Sequence, residues 1–433
     1  MLLLSWSAKL RIIENVRLGD IAKVISGFAF KSSEFSDEGV PVVKIANIRV
    51  GFLDLDGAQR VNPSYLEKLA DRYKVKSGDV LISLTGSHIT QPNSVVGRVA
   101  RASESVPACL LNQRAGKVIL NDKDRCDLGF LYYYLTLASL RGDIAAMASG
   151  AASQANVSPA QVETLSIDLP PRDEQIRVSS ILSAYDDLIE NNTRRIEILE
   201  EMARRLYEEW FVQFRFPGHE GVEFKESELG LIPASWEVSR IGESFITVLG
   251  GTPSRKKSEY WEGGDIPWIA SGKANELRIS LPTEYITEQG LKSSSAKLMP
   301  EGTTVLAITG ATLGQVSILL GSMAANQSVV GIYDSSGLRR EYIYRHVQFW
   351  IWEIIKRASG GAQQHINKDI VNESLYLEPD AEILSAFNNL ALPIGDEISN
   401  LIRKNDNLRS QRNLLLPKLI SGEIDVSDIP MPT

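Results

Sequence analysis

The sequence predicts an α+β protein made of two homologous α/β domains. A pair of long antiparallel helices, a coiled-coil spacer, separates them, and the whole forms a pseudo-twofold internal repeat. Three observations lead there. First, the chain repeats itself: the run Lys76–Gly86 returns as Pro300–Gly310, Asn112-Gln113 as Asn326-Gln327, Ser149-Gly150 as Ser359-Gly360, and Leu165–Leu169 as Leu375–Glu378. A period this long is a duplicated domain, not a solenoid unit of about twenty to fifty residues. Second, a long helical pattern follows each copy. Third, 433 residues at 43% hydrophobic can bury two ordinary cores.

Residues 1–14 open with Met1-Leu2-Leu3-Leu4, too short for a signal segment and followed at once by Lys9 and Arg11. They read as a loosely held extension or a start-codon choice. The first domain spans 15–170. Its strands are expected at Pro41–Ile45, Val80–Leu84, Val95–Val99 and Lys117–Leu120, punctuated by Gly, Asn, Asp and Ser. Asp127–Leu140 reads as a helix with Phe130, Leu131, Tyr134 and Leu137 on one face. Pro170-Pro171 closes the domain, and acids Asp173 and Glu174 suit the first turn of a helix covering 171–215.

The apolar seam of that helix is Ile181, Tyr185, Leu188, Asn192, Ile196, Leu199, Ala203, Leu206 and Trp210, a heptad pattern with one stutter. About 40 residues at 1.5 Å each give a rod of roughly 60 Å. A polar linker is expected at 216–231, the second domain at 232–379, and the second helix at 380–422. Its seam is Leu384, Phe387, Ala391, Ile394, Ile398, Leu401, Asn405, Leu408, Arg412, Leu415 and Leu419. Pro393 should kink or restart it. Residues 423–433 read as a polar tail. One seam alone would suggest a helix lying on a globular core; two matched seams favour a mutual pair. The connectivity then makes the helices antiparallel.

The net charge of −8 argues mildly against a nucleic-acid ligand, but a whole-chain sum hides local patches. Cys109 and Cys126 have no metal spacing and read as reduced structural thiols of a cytoplasmic protein. No run approaches the roughly 18 apolar residues of a membrane span. Catalytic motifs are missing: Thr309–Gln315 lacks the lysine of a phosphate loop, and neither a zinc helix nor a serine elbow is present. His219-Glu220 stands alone. Glu223-Phe224-Lys225 has the spacing of a metal-dependent nuclease without a preceding strand aspartate, so chance explains it better. Asn62-Pro63-Ser64-Tyr65 misses the second proline of an adenine methyltransferase run.

What remains are polar, glycine-marked loops at matching places in both copies. Each alone is an ordinary turn, but their recurrence argues for a shared role. Side-chain amides can bond adenine in bidentate fashion, which makes Gln91, Asn112, Gln113, Gln154, Asn326, Gln327 and Gln364 candidate base readers. Lys31, Arg114, Arg255, Lys256, Lys257 and Lys273 are candidate phosphate anchors.

Pro170–Val178, Asp186–Asn192, Leu206–Phe211 and the ending Leu416–Ile424 resemble the specificity subunit of Type I restriction–modification systems, over roughly residues 16–425. The resemblance implies two target recognition domains, each reading one half of a split, asymmetric site in double-stranded DNA. It implies helices that set the gap and dock two methyltransferase subunits. S-adenosylmethionine would bind those subunits, leaving this chain without cofactor or metal, and a separate restriction/translocase subunit would cut. The sequence departs from the family in its N-terminal extension and in a second helix lacking the Pro-Pro-x-x-Glu-Gln start. The alternatives are a stand-alone DNA nuclease or methyltransferase with an unrecognised site, and a two-headed protein-binding adaptor, which the acidic charge favours slightly.

Overall fold

The computed structural model describes residues 13–86, 95–151, 154–358 and 364–431. The chain forms two units. One runs to Asp187 and takes up the chain again from Leu408; the other is Leu188–Asn407.

In the first unit, β1 (Ala22–Ser26), β2 (Val80–Ser83), β3 (Val99–Arg101) and β4 (Ala115–Leu120) form an antiparallel sheet in the order β1-β4-β2-β3. A second sheet pairs Val40–Val43 in parallel with Cys109–Leu111. Glu14–Arg17 runs antiparallel to Ser166–Leu169, clasping the two ends of the domain. The strand expected from Val95 begins only at Val99, because Gly97 takes a left-handed φ of 73° in a turn. Helix α1 (Leu128–Leu135) is capped by Asp127, whose side chain accepts from the Phe130 N–H at 2.8 Å. It stops short of the expected Leu140. Thr136 donates its hydroxyl to the Tyr133 carbonyl, Leu137 is extended, and a separate helix starts at Ala138. Helix α2 (Arg172–Phe211) follows, its first part belonging to this unit.

The second unit repeats the plan. Strands β5 (Ile246–Leu249), β6 (Thr304–Ala307), β7 (Val316–Ile318) and β8 (Val329–Tyr333) are ordered β5-β8-β6-β7, all antiparallel. Ile266–Ile269 lies parallel to Met323–Ala325, and Glu237–Arg240 clasps Leu375–Glu378. Helix α3 (Arg340–Ile355) takes the place of α1. Tyr132 of α1 donates to the Gly51 carbonyl at 3.1 Å, and Tyr344 of α3 to the Leu277 carbonyl at 2.9 Å, so even this loop tether is duplicated. Helix α4 (Ala381–Ser421) ends the repeat.

Helix α4 passes Pro393 as one helix, without a restart. Three further expectations change. The stretch 216–231 is not a plain linker: Phe224–Ser227 and Gly230–Pro233 pair as a hairpin over the buried Trp236. The tail is anchored, with Val426 fully buried in the first unit's core and the Ile429 carbonyl accepting from Arg177 Nε at 2.6 Å. The second seam is buried or half-buried throughout, but the first is shifted at its start. Val178 and Leu182 are fully buried there, and Leu188 is 54% exposed. The first turns of α2 complete the core of the preceding domain, beside Phe130 and Leu131, so core packing rather than a partner helix sets their inward face. Among the described residues, no helix is long and apolar enough to cross a membrane.

Within the second unit, Asn192 of α2 donates its amide to Asn405 Oδ1 of α4 at 2.9 Å, and both side chains are buried. A buried amide pair in an apolar seam disfavours slipped registers, because a slip strands both groups. Asn405→Ala alone should cost about 1–3 kcal/mol by leaving Asn192 unpaired. Asn192→Leu with Asn405→Leu should recover most of that loss. A double-mutant cycle from denaturant unfolding checks this, and additive losses would refute the coupling.

His346 of α3 is fully buried. Its Nε2–H faces the Leu375 carbonyl at 3.0 Å, which leaves Nδ1 to accept from the Tyr207 hydroxyl of α2 at 3.0 Å. Burial pushes its pKa from 6.5 down to about 4. The unfolded chain therefore takes up the proton first. The neutral imidazole's contribution is complete above pH 6.5 and is lost as pH falls towards 4, at up to about 1 kcal/mol per pH unit. Unfolding midpoints across that window should fall less steeply in His346→Gln than in the parent.

Candidate nucleic-acid interface

In the first unit the glycine-marked loops converge through backbone contacts. The Phe28 N–H donates to the Leu111 carbonyl at 2.8 Å, and the Gln113 N–H to the Phe28 carbonyl at 3.0 Å. Such closeness requires Gly27, since a Cβ there would sit 2.2 Å from the Leu111 carbonyl oxygen. The Leu84 N–H reaches the Arg114 carbonyl at 3.0 Å, and Thr85-Gly86 pairs with Ala155-Asn156. One continuous ladder therefore joins the loops bearing Lys31, Asn112, Gln113, Arg114 and Gln154. Gln91 lies outside the described residues.

The second unit assembles the same constellation. A Cβ on Gly250 would lie 2.1 Å from the Asn326 carbonyl oxygen, and the Gly251 N–H donates to the Ala325 carbonyl at 2.8 Å. The Ile308 N–H bonds Ser328 O at 2.9 Å, and the Gly310 N–H bonds Gln364 O at 3.1 Å. This brings together Arg255, Lys256, Lys257, Asn326, Gln327 and Gln364. The Asn326 N–H donates to the Ile269 carbonyl at 3.0 Å, and Lys273 lies on the turn that follows this strand.

The side chains fall into different states. Asn112 is 7% exposed, and its Oδ1 accepts from the Arg114 N–H at 3.3 Å; Asn326 Oδ1 does the same for the Ser328 N–H at 3.1 Å. Both amides shape their loops. Gln113, Gln327 and Gln364 are exposed, and the Thr252 hydroxyl donates to Gln327 Oε1. Lys31, Arg114 and Lys256 are exposed cations. Arg255 donates to both oxygens of Glu284, at 2.6 and 2.8 Å, and stacks 3.5 Å from the Trp261 ring centroid. Those hydrogen bonds raise the guanidinium pKa and lower that of the carboxyl. Lys257 donates to Tyr260 Oη at 2.8 Å, and Lys273 to Glu276 at 2.6 Å.

Two basic spots escaped the sequence. Lys44 is half-buried with its Nζ 3.8 Å from the Phe35 centroid; burial, then the charge of Arg114, lowers its pKa. Arg98 is lowered by burial and by Arg141 and Arg49, and its Nε is buried without a hydrogen-bond partner. Of these arginines, Arg49 already pairs with Asp54 at 3.0 Å. Lys44 falls inside the strand expected at Pro41–Ile45, and only the fold brings Arg49, Arg98 and Arg141 together.

Cys109 and Cys126 are buried free thiols, pushed up to about 12 chiefly by desolvation. Among the described residues no group of three or more His, Cys, Asp or Glu could hold a metal ion. Glu223 and Lys225 lie exposed at the hairpin of residues 224–233.

The family profile described as the Type I restriction modification DNA specificity domain matches residues 13–201 and again 233–375, well over half of the chain. The chain is 26% identical over 383 residues to the Type I restriction enzyme MjaIX specificity subunit of Methanocaldococcus jannaschii, covering 87% of this chain and 86% of that one. It is 25% identical to the HindI specificity subunit of Haemophilus influenzae, over 61% of this chain and 70% of the relative. The crystal structure of a Type I restriction–modification S subunit from M. genitalium shares the fold, with a TM-score of 0.59 at 15% identity over 95% of this chain and 96% of that one. The duplicated domain, the long helices and the twice-matched profile place the chain in the family of Type I restriction–modification DNA specificity subunits.

Proposed function

We propose that the chain reads a bipartite, asymmetric site in double-stranded DNA, one half with each domain. In this reading α2 and α4 set the gap and dock two methyltransferase subunits. Those subunits bind S-adenosylmethionine and carry the chemistry, while this chain is non-catalytic and holds no cofactor. A restriction/translocase subunit completes the assembly in the cytoplasm. One observation carries the proposal: the same loop constellation is built twice on the same strand order, with different side chains. The loop after Gly27 offers Lys31, and the loop after Gly250 offers Thr252, Arg255 and Lys256. Different donors at one scaffold position select different base edges.

Mapping methylated bases in a host with and without the gene tests this. A gapped, asymmetric motif should vanish with the gene; a motif that persists would refute the proposal. Matched heptads inserted into α2 and α4 add about 10.5 Å of helix, roughly three base pairs at about 3.4 Å each. The gap should lengthen by that amount while both half-sites stay the same.

The polar side chains should separate by duplex. Gln113→Ala should cost about 1–3 kcal/mol on the cognate duplex and nothing on a scrambled one. Lys256→Ala should weaken both duplexes alike and reduce the salt slope by about one. Asn112→Ala should weaken both as well, because it removes the acceptor that shapes the Arg114 turn. Titrations at several salt concentrations resolve the three patterns. A cognate-only loss for Lys256→Ala would make it a reader instead.

A further inference from the structure

We infer that a buried four-charge cluster fixes where the second domain sits on its helices, and through that the gap between half-sites; this rests on the reading above. Four elements of the second unit meet at it. Arg278, on the loop after Ser271–Asn275, donates to both oxygens of Glu341 on α3, at 2.8 and 3.0 Å. The Arg278 guanidinium also lies 3.5 Å from Glu200 on α2 and 3.4 Å from the Ser399 hydroxyl on α4. Arg345, one turn after Glu341, pairs with the other Glu200 oxygen at 2.6 Å. The side chains of Arg278 and Glu341 are 1% and 2% exposed, and Glu200 is 13% exposed. The two cations and two anions balance.

Such a cluster is a poor stabiliser, since desolvating four charges offsets most of their attraction. It is a strong geometric constraint, because a forked guanidinium meets a carboxylate in one plane and one register. The helix surface is cut to receive it. A Cβ on Gly395 of α4 would lie 2.0 Å from Glu341 Oε1 and 2.3 Å from its carboxyl carbon. Glycine in a helix interior is unfavourable, and here it is the only residue that lets the carboxylate seat. A slide or rotation of the domain would drive Glu341 against the neighbouring side chains of α4 and part Glu200 from Arg278 and Arg345.

The first unit holds its domain differently. There Tyr133 donates to Asp186 of α2 at 2.7 Å, Arg412 of α4 pairs with the same carboxylate, and Arg101 lies 3.7 Å from Asp187. None of the charged side chains there is as buried as Arg278. The second domain is therefore keyed to its own helix segments by chemistry that the first lacks.

The test uses the full chain assembled with its methyltransferase subunits, and reads the gap and half-sites of the methylated motif. One variant is Gly395→Ala. The other is the apolar replacement Glu200→Leu, Arg278→Met, Glu341→Leu and Arg345→Met, which removes the constraint without leaving a charge unpaired. Both should keep the two half-sites and methylate sites one base pair longer or shorter alongside the original gap, with a several-fold loss at that gap. A variant that folds with the parent's cooperative thermal transition and keeps a single, unchanged gap overturns the inference. So does failure of both variants to fold, since the cluster would then be a folding element. Failure of the parent assembly to methylate any gapped motif would instead strike the underlying reading.

Discussion

Each long helix has to satisfy two neighbours at once, a globular core and another helix, and much of the structure follows from that constraint. A strict heptad seam is too narrow to do both. Helix α2 therefore buries Val178 and Leu182 in the first unit's core and, further along, Tyr207, Trp210 and Phe211 in the second unit's core. Between these stretches it presents Asn192 and Ile196 to α4. Gln175 ties the first turn of α2 to its domain. Fully buried, it donates to the Pro170 and Arg125 carbonyls at 2.8 and 2.9 Å and accepts from the Asp127 N–H at 2.8 Å. Helix α4 lacks such a glutamine. The Ser235 hydroxyl donating to Asp380 at 2.7 Å ties its start to the second domain.

The duplication, the strand-rich domains and the second seam were legible because they depend on local period and internal comparison. The misplaced features share one cause. Leu188 sits on the heptad, yet the core beside α1 rotates the inward face away from it. Pro393 allows a restart, but α4 continues through it, with Ala391 before it and Ile398 after it each buried in a core. The polar tail hides Val426, whose burial depends on residues far back in the chain. The site shows the same division. Recurring loops could be aligned by eye, so their convergence was foreseeable. The state of each side chain was not: Glu284 is 29 residues from Arg255, and nothing in their spacing announces the pair.

Acidity and DNA recognition are reconciled by where the acids lie. On α2, Glu201 pairs with Arg204 and Arg205, Glu208 with Arg204, Glu190 with Arg194, and Glu209 with Arg215 just beyond the helix end. The arginine hydrogen bonds hold the Glu201 carboxyl at about 2. Exposed pairs of this kind contribute little stability. They do cancel one another's field within a Debye length of about 8–10 Å. The helix thus carries much acid without a matching field at the loops, and the net charge of −8 says little about what those loops meet.

The loops themselves treat their cations in two ways. In the second domain Glu284 takes two of the five N–H groups of Arg255 and Trp261 supports its face, so the guanidinium is oriented before any ligand arrives. Its remaining N–H groups can bond a phosphate or base edge with little further loss of rotamer freedom, although the acid weakens the pull on an anion. In the first domain burial, then the nearby charge of Arg114, lowers the Lys44 pKa, so two cations lie close together there. The two copies therefore present their cations differently, one in a preset hydrogen-bond geometry and the other clustered with a second cation. A duplicated scaffold permits such a difference because each copy is free to vary its loops.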